Sequence, residues 1–277
     1  MMKHPRPGAS LCLAALGLAS SSCSLFGLGG ELGAAACPAL RPGADPLAMR
    51  YAAQAALDAK VKTFVQAATD LGVVSAQIEA EATAACRRMG QDLGLSPAQT
   101  APQRGHGGAA SGACGAVAAR INTILRQGAS VQVTVQPPAC QANAQARARC
   151  AGACNVQVDA QCRASCEAHA DVHGSCQPAV VAVRPSSGLP ATAQLAATLQ
   201  ANLPQLLHAE ITLGRRLIRD AQVVAQIGAE LPRLVGNAGA QAVACVGAAA
   251  DMAASASVRI QVSVQASASV SGQVGVQ

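Results

Sequence analysis

Cysteine and histidine are the residues of this chain best equipped for chemistry, and they crowd into one stretch. Six of the twelve cysteines lie between Cys140 and Cys176, with His169 and His173 among them. The spacing is mirror-symmetric. Cys154 and Cys162, Cys150 and Cys166, and Cys140 and Cys176 are nested at equal distances on either side of Val158. A chain that folds back at one point brings such pairs together, so the spacing predicts a hairpin closed by three disulfides. Cys150-x3-Cys154 and Cys162-x3-Cys166 each set two thiols on one helical face, because residues i and i+4 are neighbours there. Thiolates and imidazoles at these intervals also ligate zinc, and His169 with His173 repeats the i, i+4 step. The compartment decides between the two chemistries.

The N-terminus supplies the compartment. Lys3 and Arg6 form a positive start, Leu11 to Ala19 an apolar run too short to span a bilayer, and Ser20 to Ser22 a small-residue stretch before Cys23. This arrangement resembles the lipobox of exported bacterial lipoproteins, with Ser20 where that family usually has leucine. The resemblance implies removal of residues 1–22 and a lipid on Cys23. It also implies sorting by the following Ser24 in the manner of outer-membrane lipoproteins of enteric bacteria. Ordinary cleavage, before Glu31 or near Ala36, is the alternative. In composition the whole chain resembles the Ala- and Gln-rich exported lipoproteins of high-GC Gram-negative bacteria. Outside the cytosol thiols oxidise by default, which favours disulfides over metal and leaves His169 and His173 as a solvated helix face.

Cysteine parity fits this address. With Cys12 removed and Cys23 lipidated, Cys37, Cys86, Cys114, Cys140, Cys150, Cys154, Cys162, Cys166, Cys176 and Cys245 remain, an even set. Cys86 with Cys114 is the local pairing outside the hairpin, and Cys37 with Cys245 then follows; two other pairings of these four stay open. The twin Cys-x3-Cys hairpin resembles that of small mitochondrial import chaperones over its seventeen residues, with a shorter connection between the pairs. The resemblance carries disulfide geometry and no function.

The elements that hold these residues are mostly helical. Of 277 residues 51% are hydrophobic, alanine above all, and only Phe26, Phe64 and Tyr51 are aromatic. Such side chains bury little area each, so the core needs long elements or covalent staples. Residues 1–22 read as the signal, 23–46 as a tether, and 47–277 as a single helical domain carrying the Cys-rich hairpin as an insertion. Asp45 is placed to cap a helix with Pro46 in its first turn. From there to Gly90 the residues Leu57, Val61, Phe64, Ala68, Leu71, Ile78, Ala82, Ala85 and Met89 repeat at heptad spacing, with Ser75 as the gap. A helix of about forty residues extends roughly 60 Å and cannot stand alone.

A Gly-rich loop follows over 90–112, then a helix over 111–126, stopped by Gly128. Val131, Val133 and Val135 alternate with polar residues, and the run Val180, Val181 and Val183 is their counterpart across the mirror, which predicts antiparallel strands over 130–136 and 179–184. Pro190 opens a second long helical region to Val235, with Pro204 expected to kink it and Pro232 to end it. An Ala-rich helix is expected to run to Ser255. Alternation of Val258, Ile260, Val262 and Val264 predicts a third strand over 257–265. The fold class is therefore mainly α: a long-helix bundle with a small antiparallel sheet and an inserted stapled hairpin.

Catalytic signatures are lacking. There is no Gly-x-Ser-x-Gly and no phosphate-binding glycine loop. Gly105-His106-Gly107-Gly108 lacks a serine partner. Glu79 and Glu81 fall on different helix faces, and Arg87, Arg88, Arg215 and Arg216 read as surface charges. The formal charge of +6 drops to +4 with loss of Lys3 and Arg6, and without interleaved aromatics it gives no support to nucleic-acid binding. The sequence therefore points to a non-enzymatic cell-envelope lipoprotein, in the outer membrane or periplasm. It would be held to the membrane by its lipid, would bind no cofactor and no metal, and would act as a scaffold toward an unidentified envelope protein. The alternative is a membrane-active or lipid-binding helical protein. Against it, no mature run reads as both long and strongly hydrophobic.

Overall fold

A computed structural model describes residues 37–41, 43–102, 108–154, 159–210, 215–235 and 239–275. The signal residues, Cys12, Cys23, the tether up to residue 36, Gly105 to Gly107 and the hairpin tip at Val158 lie outside the described residues.

Helix α1, Ala55–Asp92, is the element on which the others are assembled. It contains no proline and only Gly72 and Gly90 as glycines, and the heptad positions read from the sequence are buried from Val61 to Met89. Ser75 fills the gap in that seam, fully buried, its hydroxyl donating to the carbonyl of Gly72 at 2.8 Å. The helix begins later than Asp45. That residue instead accepts from the Leu47 N–H at 3.0 Å and closes a turn. The start is fixed by Asp58, whose Oδ1 accepts the backbone N–H groups of Tyr51 and Ala52 at 2.6 and 3.1 Å. Those two residues must stay outside the helix to reach a first-turn carboxylate. A negative charge there also suits the helix dipole.

Helix α2, Ala109–Arg126, folds back on the C-terminal half of α1 and is joined to it by Cys86–Cys114. Its N-terminus is capped from the neighbouring helix: Glu79 Oε1 accepts the Ala109 N–H at 2.9 Å. Gly108 makes that approach possible, since its φ is +96° and any Cβ would collide with the Glu79 carboxylate.

Strands β1 (Val131–Gln136) and β4 (Val180–Pro185) pair antiparallel with Val133 opposite Val183 and Val135 opposite Val181. A shorter ladder, β2 (Ala139–Gln141) with β3 (Ser175–Gln177), puts Cys140 opposite Cys176. Helices α3 (Ala144–Ala153) and α4 (Ala160–Val172) are inserted between β2 and β3.

Helix α5, Pro190–Leu207, carries Pro at its first position and buries Leu195, Leu199, Leu203, Leu206 and Leu207. Pro204 does not break it. Proline withholds its own N–H from the preceding turn, whereas the residues after it still donate, and His208 N–H bonds back to the Pro204 and Gln205 carbonyls. The break comes at residues 208–210, in a wider π-type turn. Helix α6, Arg215–Val235, then runs three residues past Pro232, which therefore does not end it.

The largest correction concerns the C-terminal stretch. Residues 257–265 are not a strand, and the helix expected to stop near Ser255 continues: α7 spans Ala240–Ser271. Among its buried positions, Ala242, Val246, Ala249, Ala253, Ala256, Ile260, Ser263, Ser267 and Val270 are each at most 1% exposed. They form an unbroken heptad, written mostly in residues too small to stand out as apolar. Such a seam lets backbones approach closely, and burial of the whole seam outweighs the β preference of four valine or isoleucine positions. The helix packs along α1, with Met252 over Gly72 and Arg259 Nε 3.4 Å from Glu79 Oε2. Both pairs have the same separation in sequence, so α1 and α7 run parallel. Cys37–Cys245 fastens the short 3₁₀ turn Pro38–Leu40 to α7.

The apolar interior has two parts strung along α1. One joins its N-terminal half to the 37–51 segment, α6 and most of α7. The other joins its C-terminal turns to α2, α5, the β1–β4 pair and the end of α7.

Candidate functional site: the stapled hairpin and its seat on helix α1

Each helix of the hairpin starts with its own side-chain cap. Asn143 Oδ1 accepts from Gln145 and Ala146 N–H, both at 3.0 Å, and opens α3. Asp159 Oδ1 accepts from Gln161 and Cys162 N–H at 3.0 and 3.1 Å and opens α4. Short polar helices of this kind form because the caps supply bonds that the missing neighbouring turns cannot. Across them run Cys150–Cys166 and Cys154–Cys162, with Cys140–Cys176 at the base. Asn143 N–H donates to the Ala170 carbonyl at 2.9 Å, tying the start of α3 to the end of α4. At that end, a Cβ on Gly174 would stand 2.5 Å from the Gln141 carbonyl, so the chain returns to β3 only through glycine. The structure thus joins ten cysteines in five pairs, including Cys86 with Cys114 and Cys37 with Cys245. Disulfides in this number mark an extracellular or periplasmic chain.

The hairpin is seated on the bundle through α4, whereas α3 is largely exposed. Helix α4 lies between α1 and α6, burying Ser165, Cys166, Ala168, His169 and Ala170. On α1 the hairpin meets Lys60, Thr63 and Asp70, which recur at i, i+3 and i+10 and so line one stripe beside the heptad seam. Lys60 Nζ is 2.6 Å from Asp159 Oδ2, so one carboxylate both caps α4 and docks it. Burial opposes the charge on Asp159, but the bonds from Lys60 and from the Cys162 and Gln161 N–H groups prevail and hold its pKa below the usual carboxylate range. Asp58 is held low in the same way, burial being outweighed by Lys62 and by the Tyr51 and Ala52 N–H groups. Thr63 Oγ1 lies 3.9 Å from Cys154 Sγ.

Asp70 completes the stripe and forms its most concentrated polar contact. Its Oδ2 meets His169 Nδ1 in a short hydrogen bond. Its Oδ1 accepts from Gln66 Nε2 at 2.9 Å and lies 3.4 Å from His173 Nε2. The two imidazoles stand edge to face with centroids 4.6 Å apart. One donor atom from each of Asp70, His169 and His173 falls within 4.8 Å of the other two. The reading of the histidines as a solvated helix face is corrected here. His169 is buried, and only His173 keeps a side chain about half exposed. A buried imidazole needs a polar partner, and the partner comes from another helix. The sequence offers no spacing that couples residue 70 to residue 169. Its one local hint is a lone carboxylate between the seam positions Ala68 and Leu71.

Thiols and imidazoles therefore separate: the cysteines go to disulfides, and the histidines go to a carboxylate. Glu79 and Glu81 also divide. Glu79 serves α2 and Arg259, whereas Glu81 accepts from Gln77 Nε2 at 3.0 Å. Arg88, exposed as expected, bonds Asn202 Oδ1 at 3.0 Å and fastens α1 to α5. The side chains of Arg215 and Arg216 lie outside the described residues. No family model, no curated protein and no solved structure matches this chain.

Proposed function

We propose that this chain is a non-enzymatic lipoprotein of the cell envelope that presents a rigid, covalently braced surface to another envelope protein. In this reading Cys23 carries the lipid, and the residues after it tether the folded part to the outer membrane. The observation that carries the proposal is Cys37–Cys245, which fixes the chain fourteen residues after Cys23 to the central helix pair. A pull on the anchor would then be borne by the whole bundle and not by a fraying terminus. The use made of the polar side chains supports it too: Asp58, Asp159, Glu79 and Arg88 cap or join helices. Labelling with radioactive palmitate in an exporting bacterial host tests the anchor. The wild-type chain should take up label and the Cys23→Ala chain should not; equal labelling of the two removes the lipid from the proposal.

One observation favours the membrane-active alternative. The helix from Ala240 to Val274 contains an 18-residue window of mean hydropathy 1.3, long and apolar enough by length and composition to cross a bilayer. That hydropathy is modest, in keeping with an alanine-rich run, and a packed core helix meets the same measure. The helix spends its small-residue face on α1, α2 and α6, so insertion would require the bundle to open. Release of a trapped dye from anionic liposomes by the oxidised chain would favour this alternative over the scaffold.

A further inference from the structure

We propose that Asp70, His169 and His173 bind a transition-metal dication of the zinc class, and that the bound ion locks the stapled hairpin onto helix α1. The inference is independent of the lipid anchor at Cys23.

The donor set selects the ion. Two imidazole nitrogens and one carboxylate oxygen suit Zn(II), Co(II), Ni(II) or Cu(II), whereas Ca(II) and Mg(II) prefer oxygen alone. Geometry comes next. His169 and His173 are four residues apart at the end of α4, so they share a face, and Asp70 approaches that face from α1. Bonds of about 2.0–2.1 Å place neighbouring ligand atoms of a tetrahedral site roughly 3.4 Å apart. His173 Nε2 and Asp70 Oδ1 already stand at 3.4 Å, and all three donors fit within 4.8 Å.

A structural hydrogen bond alone does not account for this arrangement. The bond between His169 and Asp70 needs one imidazole. Here a second one turns its Nε2 toward the same carboxylate, with its ring against the first. One cation shared by both rings and the carboxylate uses every donor present.

The surroundings match those of a working site. Gln66 Nε2 holds Asp70 Oδ1 at 2.9 Å, the kind of outer contact that orients a metal-binding carboxylate. Helix α4 is fixed at its start by the Lys60–Asp159 ion pair, midway by Cys150–Cys166 and at its end by the turn through Gly174, so the ligands are placed before an ion arrives. Asp70 and His169 are buried, whereas the His173 side chain is 47% exposed. That leaves an entry path on one side and a fourth position facing solvent.

The test uses the full exported chain, oxidised, without a histidine tag, and shown to be free of reactive thiol. Titration with Zn(II) by calorimetry, and with Co(II) by its visible absorption, should give one site per chain. His173→Ala is the decisive variant, because its side chain is exposed enough to remove without unfolding α4. With helicity and five disulfides retained, it should bind Zn(II) about 100-fold more weakly, and Gln66→Ala about tenfold more weakly. His208→Ala should bind as wild type. Bound zinc should also slow amide exchange in α4, an effect absent in His173→Ala. Wild-type affinity in His173→Ala, or no Zn(II) binding by the native chain at a tenfold molar excess, would overturn the proposal.

Discussion

The hairpin helices are ten and thirteen residues long, joined by two disulfides and by the exposed Arg147–Glu167 pair at 3.4 Å. The parallel pair α1–α7 is made of helices of 38 and 32 residues, with no disulfide joining one directly to the other. Both regions face the same shortage, since the chain has almost no aromatic side chains with which to fill a core. The hairpin meets it covalently. A helix of three turns is marginal in water, and its small interface cannot recover the entropy of ordering it. A bridge closing a 16-residue separation recovers about 3 kcal/mol in the chain-entropy account. The long pair meets the shortage by repetition: nine buried seam positions on α7 each contribute little area, but they come from one continuous helix whose ordering is cooperative. Staples serve where an element is short; regularity serves where it is long.

Breaking the regularity should cost most. Val262 lies mid-helix and partly buried in α7, within the stretch whose alternation mimics a strand. Val262→Pro removes a helical hydrogen bond and clashes with the preceding turn. It should cost 3 kcal/mol or more, about as much as removing a disulfide. Far-ultraviolet dichroism and thermal melting would register it as lost helix and a lowered midpoint. At the edge of a sheet the same change would be almost silent, so a near-wild-type melt would return this stretch to the strand reading. The staple comes next. Replacing Cys150 and Cys166 together by alanine should cost about 3 kcal/mol and confine its effect to one end of the molecule. Hydrogen exchange should rise through α3 and α4 while the amides of α7 keep their protection. Equal loss in both regions would mean that the hairpin is not a separate problem separately solved.

The same contrast governs what could be read in advance. Cystine partners lie at spacings a sequence displays openly, and mirror symmetry about Val158 sufficed for Cys150, Cys166 and the opposition of Val133 to Val183. The heptad of α1 was legible because Leu57, Val61, Phe64, Leu71 and Ile78 are large. The heptad of α7 was hidden. Six of its nine seam positions are alanine or serine, which also occupy exposed positions, while the valines and isoleucine of 258–264 fall on alternate residues and suggest period two. Val258, at 55% exposed, is one of them and lies off the seam. Asp70 was illegible for a different reason: a carboxylate that meets a histidine 99 residues away leaves no local periodicity. Such a contact follows from how α4 docks, and docking is a property of two surfaces.

The smallest change expected from this comparison is a gain. Ser263 and Ser267 are fully buried on the α7 seam, and neither hydroxyl has a hydrogen-bond partner in the structure. Each removes a polar atom from water in exchange for a side chain small enough to let α1 and α2 come close. Alanine has the same reach without the hydroxyl. Ser263→Ala and Ser267→Ala should therefore each be neutral or stabilising by up to about 1 kcal/mol, because the desolvation cost of an unbonded donor disappears. Alanine's higher helix propensity acts in the same direction. Tighter packing is not expected, so the gain should appear in the denaturant midpoint with an unchanged slope. A loss of 1 kcal/mol or more at either position would mean that its hydroxyl is bonded within the seam. The α1–α7 pair would then depend on polar ties, as the hairpin's seat does, and the distinction between the two regions would narrow to the presence of disulfides.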